Sequence, residues 1–537
     1  MSQHHGNEPG NSEIEALLMD DLTVKESTLE AAYKQDPPSA IQRAQRVFIK
    51  LFQVATRSLR SSPPRSTTSA QSAAKSSSLI CTIFNYPPAD FQCRPTGWLD
   101  GLRGLAALEV YIFHYMDHWL DRSLAYGEGR FRDPAIYRLP FIRTLYASGD
   151  TAVCVFFAIS GYVLTHRMLG LIRQRRTEEL HASLSSAVFR RGIRLYMPVM
   201  IQGFTLMLVG HLFNFPKPGG WQNEPSLLLE TKRWVVRLIW QWLPLRYPDR
   251  WNELLNMYDG GISWTIPLEY HGSLIVYLAL LLFSRTRSIR VRQVIIAGLI
   301  VLSFLKDDWI GGQFLLGMAF ADYQLEKKTH SQNSEKVRKI FFFVVFLFGF
   351  YLAGLPGGHY VDEQQKFRLW SRPGYDWITQ PLAAIGMYAD RQADRYIECL
   401  AGICIVVGLG ETDRLKRMLE TRFIQYLGKI SFGLYLCHIW MHEFILPLDN
   451  FWLGFMHIDY TVSPHLRSPS LNYFLAYIMM MTFATTCNFI VAGLFERYID
   501  APSVQTGKNF EKWCLSFGKD DNDVEEARPA QANGHPT

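Results

Sequence analysis

The chain has 537 residues and a formal net charge of +6, with 48% hydrophobic, 14% aromatic and only 19% charged side chains. So low a charged fraction argues against an ordinary soluble domain. Its apolar runs of about 15–25 residues have the length a membrane helix needs. The eight cysteines form no CxxC or zinc pattern and give no information about a disulfide framework.

Residues 1–37 are polar and acidic and read as disordered. In 39–60, Ile41, Ala44, Phe48, Leu51, Ala55 and Leu59 recur at helical spacing among Arg43, Arg46, Lys50, Arg57 and Arg60. That pattern predicts a basic amphipathic helix on an anionic leaflet, with a solvated helix or disordered arm as the plainer reading. A Ser/Pro-rich linker completes an N-terminal arm over 1–95. The fold class expected next is all-α, a polytopic membrane bundle over 96–505. Ten spans are predicted, at about 101–121, 148–167, 196–215, 262–283, 292–305, 308–322, 339–356, 396–410, 429–448 and 472–496. The stretch 232–245, with Arg237 and several Trp, predicts an interfacial helix. A polar tail, 506–537, follows.

Basic residues orient these spans. With the N-terminus in the cytosol, the inner loops hold 20 Lys/Arg in 73 residues and the outer loops 18 in about twice that length. The expected topology therefore puts both termini in the cytosol, in either an endomembrane or the plasma membrane. The two longest outer loops, 216–261 and 357–395, are rich in Trp, Tyr and Gly and can fold over the outer face.

Ionisable groups inside such spans are costly, so function is their default explanation. WLDGLRGLAALEVYIFHYMDHW, residues 98–119, carries Arg103, Glu109, His114 and His118. Arg103 and His114 are eleven residues apart, about 20° around a helix and roughly 16 Å along it, so they share a face. His118 lies one turn further out, and Glu109 points elsewhere. This predicts a polar path from a cytosolic mouth at Arg103 to mid-membrane at His114. Lipid-phosphate anchoring of Arg103 and a core hydrogen bond for His114 are the alternatives. AVFRRGIRLYMP (187–198) sets Arg190, Arg191 and Arg194 at spacings that turn at least two guanidiniums toward one anion, a phosphate above all. GGISWTIPLEYHGS (260–273) places Glu269 behind Pro267, where a buried carboxylate needs a cationic partner, with Trp264 at the outer interface. LGKISFGLYLCHIWMH (427–442) makes one polar stripe of Ser431, Tyr435, His438 and His442. The HxxxH pairs His114/His118 and His438/His442 suggest a metal box, but they are too few and too deep for one, and no metal is expected.

In order along 96–505, these segments resemble the acyltransferase-3 family of integral membrane acyltransferases. WLDGLRGLAALEVYIFH is similar to its first-helix Arg-x10-His signature, FFAISGYVL (156–164, with Ser160) to its second-helix motif, and FRRGIRLYMP to its Arg-rich element. SWTIPLEY resembles its Trp-to-Glu motif, LGKISFGLYLCH its late Ser/Tyr/His helix, and FERYIDAP (495–502) its closing segment. The resemblance implies a ten-helix domain that transfers an acyl group from acyl-CoA, a co-substrate rather than a cofactor, to a hydroxyl. The polar arm and linker suggest a filamentous-fungal member with a small secondary metabolite or a carbohydrate as acceptor; acetyl is the default acyl group. No nucleic-acid partner is expected, and the oligomeric state stays open.

In that reading Arg190, Arg191 and Arg194 hold the CoA phosphates and Arg103 flanks the entry. His114 takes the hydroxyl proton, since imidazole ordinarily titrates near about 6.5. Glu269 either orients His114 or positions the acceptor. Ser160, Tyr435 and His438 are candidates for the oxyanion donor, with Trp264 and Ser431 as accessory residues. The rival reading is a transporter or flippase that uses the same charges without acyl transfer.

Overall fold

A computed structural model describes residues 82–88, 91–116, 119–120, 122, 125–126, 136–213, 221–241, 257–286, 288–327, 335–357, 359–360, 367–368, 372–384, 392–459 and 470–516. The amphipathic segment expected at 39–60, the linker after it, His118 and the end of the tail lie outside the described residues.

The described fold is helical. Its helices are α1 (Gly97–Met116), α2 (Pro140–Ala147), α3 (Gly149–Arg173), α4 (Thr177–Phe213), α5 (Leu227–Gln241), α6 (Thr265–Phe283), α7 (Ile289–Leu305), α8 (Trp309–Lys327), α9 (Glu335–Ala353), α10 (Asp376–Ala384), α11 (Gln392–Glu411), α12 (Asp413–Leu419), α13 (Arg422–Ile445), α14 (Asp449–Phe455), α15 (Leu471–Phe495) and α16 (Ala501–Ser516). The loop between α9 and α10 adds a two-residue antiparallel pair, β1 (His359–Tyr360) and β2 (Phe367–Arg368), with His359 opposite Arg368.

Local chemistry starts several of these helices. The Ser288 and Ser470 hydroxyls accept from Val291 N and Tyr473 N, capping α7 and α15. The Glu109 carboxylate accepts from Ser148 N at 3.0 Å, placing a side-chain acceptor at the head of α3. α4 runs for 37 residues, about 55 Å, well beyond a hydrocarbon core of about 30 Å.

A helix stands at each of the ten predicted spans. Four segments are long and apolar enough to cross a membrane by length and composition: Gly149–Arg173, Thr177–Phe213, Ile262–Phe283 and Leu471–Ser516. Of the ten helices at the predicted positions, four fall in segments that qualify as spans on these grounds. α7 has only 17 residues, α9 opens on a run of charged residues, and α8 and α13 turn polar groups inward. α8 buries Gln313 and Asp322, and α13 buries Gln425, Ser431, His438 and His442. Large apolar side chains such as Leu278, Leu281, Val294, Val301, Ile340 and Ile478 face outward, as in a protein set in lipid.

The largest buried cluster draws on α1, α3, α4, α6, α8, α11 and α13, and a second lies between α1, α13 and α15. Several helix pairs approach too closely for side chains. A methyl group added at Gly104 would collide with the backbone of Gly428, and one at Gly428 with the carbonyl of Asp100, so α1 and α13 meet backbone to backbone. Gly161 and Gly317 do the same for α3 and α8. Small residues at such crossings let helices pack where lipid supplies no hydrophobic drive.

Gly428→Ala should therefore cost about 1–3 kcal/mol through overpacking. Gly298→Ala, which adds a methyl into open space within α7, should be neutral or stabilise by about 0.5–1 kcal/mol. Thermal unfolding in detergent compares the two; equal effects would refute the close α1–α13 contact.

Candidate active site

The α1–α13 seam carries polar groups along its length. Arg103 donates from Nε to Ser431 Oγ at 3.1 Å and from Nη2 to the Gly428 carbonyl at 3.0 Å. Asp100, one turn earlier, lies 3.6 Å from its guanidinium. At the far end of the seam, the rings of His114 and His438 face each other with centroids 5.1 Å apart and planes inclined by 36°. His114 lies in the last described turn of α1, which is described as far as Met116.

The two imidazoles differ. His438 is fully buried. Its Nδ1 lies 2.7 Å from the Tyr435 carbonyl and 3.2 Å from that of Leu434. Carbonyls only accept, so Nδ1 carries the proton in this arrangement. Nε2 is buried with no hydrogen-bond partner. His114 is partly buried and touches Phe113 edge-on, at 5.3 Å between centroids.

Glu269 lies elsewhere. Its Oε1 accepts from Ser160 Oγ at 2.5 Å and from Arg191 Nη2 at 2.5 Å. Arg191 Nε donates to Ser273 Oγ at 2.9 Å, and Ser273 donates in turn to the Glu269 carbonyl at 2.6 Å. One carboxylate thus ties α3, α4 and α6 together, and the expected orientation of His114 by Glu269 is not the arrangement found. Ser160 is already committed to this carboxylate. Tyr435 is committed too: its hydroxyl donates to the Ile262 carbonyl at 2.9 Å and lies 2.8 Å from Thr265 Oγ1. Trp264 ends a 3₁₀ turn before α6 and packs, partly buried, on the main core.

The three arginines of α4 diverge. Arg191 turns inward to Glu269, with side chains only 10% and 14% exposed. Arg190 faces Glu511 of α16, 3.2 Å from Nε. Arg194 is exposed and makes no ion pair or hydrogen bond among the described residues. Sequence reasoning missed Ser273 and Glu511. Ser273 stands one helical turn after Glu269, a spacing that offered a signal; Glu511 sits in what reads as polar tail. Where that tail was expected, α16 instead runs to Ser516 along α4, with Phe510 stacked on Phe189.

A cavity of about 230 Å³ opens beside the His114 end of α1 and is lined by Phe113, Arg122, Asp150, Thr151, Asp394 and Glu398. Arg122 lies over the Phe113 ring, 3.4 Å from its centroid. Arg372 holds Asp394 through two bonds of 2.7 and 2.9 Å. Before α6, Gly260 and Gly261 take positive φ of 72° and 83°, and the Asp259 carboxylate accepts from Gly261 N at 2.9 Å. This turn presents the Ile262 carbonyl that Tyr435 bonds. Burial raises the Asp259 carboxyl to about 6, against hydrogen bonds from the turn that lower it.

The description "Acyltransferase domain" of the acyltransferase-3 family matches residues 96–493. The chain belongs to this family and is an acyltransferase. It is 27% identical over 439 residues to "O-acetyltransferase PaAT-1" of Phomopsis amygdali, covering 77% of this chain and 84% of that relative. It is 23% identical to "Acyltransferase clz18" of Cochliobolus lunatus, covering 76% of this chain and 94% of the relative. No solved structure matches.

Two outcomes follow from this geometry. Breaking the Glu269–Arg191 pair from either side should destabilise by about 3–5 kcal/mol, because a charge stays buried alone. The double variant Glu269→Gln, Arg191→Met should recover part of that loss in thermal unfolding. Asp259 titrates higher folded than unfolded, so the folded state holds its proton longer. Its contribution to stability is present below about pH 4 and is lost as pH rises to about 6. Asp259→Asn should flatten that slope and raise stability at pH 7 by roughly 1–3 kcal/mol.

Proposed function

We propose that the protein is a membrane O-acyltransferase that moves an acyl group, acetyl by default, from acyl-CoA to a hydroxyl of a small-molecule secondary metabolite or a carbohydrate. The observation that carries this reading is the His114–His438 pair at one end of a seam whose other end holds Arg103. The family supplies acyl transfer, and the O-acetyltransferase of Phomopsis amygdali among its relatives favours acetyl.

Ten spans with both termini in the cytosol put the arginine end on the cytosolic side, where acyl-CoA is available. Arg194, exposed and uncommitted, takes a CoA phosphate by a charge-assisted hydrogen bond, with Arg190 and Arg103 adding positive charge at the mouth. Arg191 serves indirectly, by holding Glu269 and the helix that carries Arg194. The thioester then reaches the histidine end, and the acceptor enters through the cavity beside Phe113. An imidazole removes the hydroxyl proton as the oxygen attacks the thioester carbon, and CoA leaves as the thiol. The acyl group passes directly to the acceptor.

The test is CoA release from acetyl-CoA by the purified full-length protein, with and without an organic extract of fungal culture as acceptor. Extract-dependent release should fall by about 10²–10⁴-fold in His114→Ala. Arg194→Ala should raise the KM for acetyl-CoA by roughly tenfold with kcat nearly unchanged. Equal release by wild type and His114→Ala would remove His114 from the mechanism.

A further inference from the structure

We infer that His438, through Nε2, is the proton acceptor of the transfer, and that His114 opposite it is the hydrogen-bond donor to the developing charge. This assignment rests on the acyl-transfer reading and divides the labour within the facing pair.

A buried nitrogen without a partner costs folding free energy, and an apolar side chain of similar size would avoid that cost. His438 has one nitrogen answered and one unanswered. The answered one fixes the chemistry of the other. While Nδ1 donates to the Tyr435 carbonyl, neutral His438 has no second proton, so Nε2 presents a lone pair and nothing else. That excludes neutral His438 as an oxyanion donor and fits it as a base. After Nε2 gains a proton, Nδ1–H still has its carbonyls to bond. The arrangement parallels the orienting group behind the base of a catalytic triad, with main-chain oxygens in place of a carboxylate.

His114 is placed differently. It has no hydrogen bond among the described residues. Nothing in the fold therefore fixes which of its nitrogens carries the proton, and its N–H is available to a substrate atom. The two rings lie 5.1 Å apart between centroids.

The balanced step is as follows. The acceptor O–H gives its proton to His438 Nε2 while its oxygen forms a bond to the thioester carbon. The His114 N–H donates a hydrogen bond to the carbonyl oxygen as negative charge builds there. The C–S bond breaks, and the departing sulfur takes the proton from Nε2. An alcohol and an acyl thioester become an ester and a thiol, and both imidazoles return to their starting state.

The test uses full-length protein in detergent, acetyl-CoA as donor and the culture extract as acceptor, with His438→Asn and His438→Gln. Asn keeps an amide donor near the Nδ1 position, and Gln keeps a polar atom near Nε2; neither supplies a base. Both should lose about 10²–10⁴-fold in extract-dependent kcat, with the KM for acetyl-CoA within about threefold of wild type and Tm unchanged in at least one. Activity within about threefold of wild type in either variant overturns the assignment while leaving the acyl-transfer reading intact. So does a fall in Tm and acetyl-CoA binding together with kcat in both, which marks His438 as structural. Wild-type protein that releases no CoA above the extract-free control defeats the acyl-transfer reading itself, and the assignment with it.

Discussion

The close approach of α1 and α13 is the constraint on which the site depends. Gly104 and Gly428 remove the side chains that would hold these helices apart. With the backbones in contact, Arg103 can reach both the Ser431 hydroxyl and the Gly428 carbonyl. The same contact sets the register further along. Arg103 and His114 are separated by eleven residues, three turns, so a helix that presents one to α13 presents the other as well. Ser431 and His438, seven residues apart, repeat the pattern on the facing helix. One backbone contact therefore fixes two side-chain meetings at opposite ends of the seam.

A second constraint holds the neighbouring helices. Ser160, Arg191 and Ser273 gather around Glu269, and each of α3, α4 and α6 contributes to that one carboxylate. In a lipid environment such polar contacts and tight packing replace the hydrophobic drive that assembles soluble proteins. The helices that bear this cluster are still long and apolar enough to cross a membrane by length and composition.

The helices were legible because apolar runs of this length have few other uses. Their ends were less so. The described part of α1 runs to Met116, with His114 in its last described turn, and Arg122 lies over Phe113. Partners were the least legible. Spacing along α4 places Arg190 and Arg194 one turn apart, but it carries no information about Glu511 on α16 or Glu269 on α6, which claim Arg190 and Arg191. Of the residues that the family resemblance picked out, Ser160, Arg191 and Glu269 meet in one cluster and His114 and His438 in another. The resemblance could not say that Glu269 answers an arginine, or that a main-chain carbonyl holds the proton of His438 in place.

The seam also has a history within each molecule. Chains are made from the N-terminus, and domains fold in that order where they can. Arg103 precedes its partner Ser431 by 328 residues, whereas Arg191 precedes Glu269 by only 78. The Glu269 cluster can thus close early in synthesis. α1 must wait, its arginine and histidine unmatched, until nearly the whole bundle has been translated. The bundle is largely built before the cleft between α1 and α13 exists, so a chain interrupted after α11 can carry the Glu269 cluster without possessing a site.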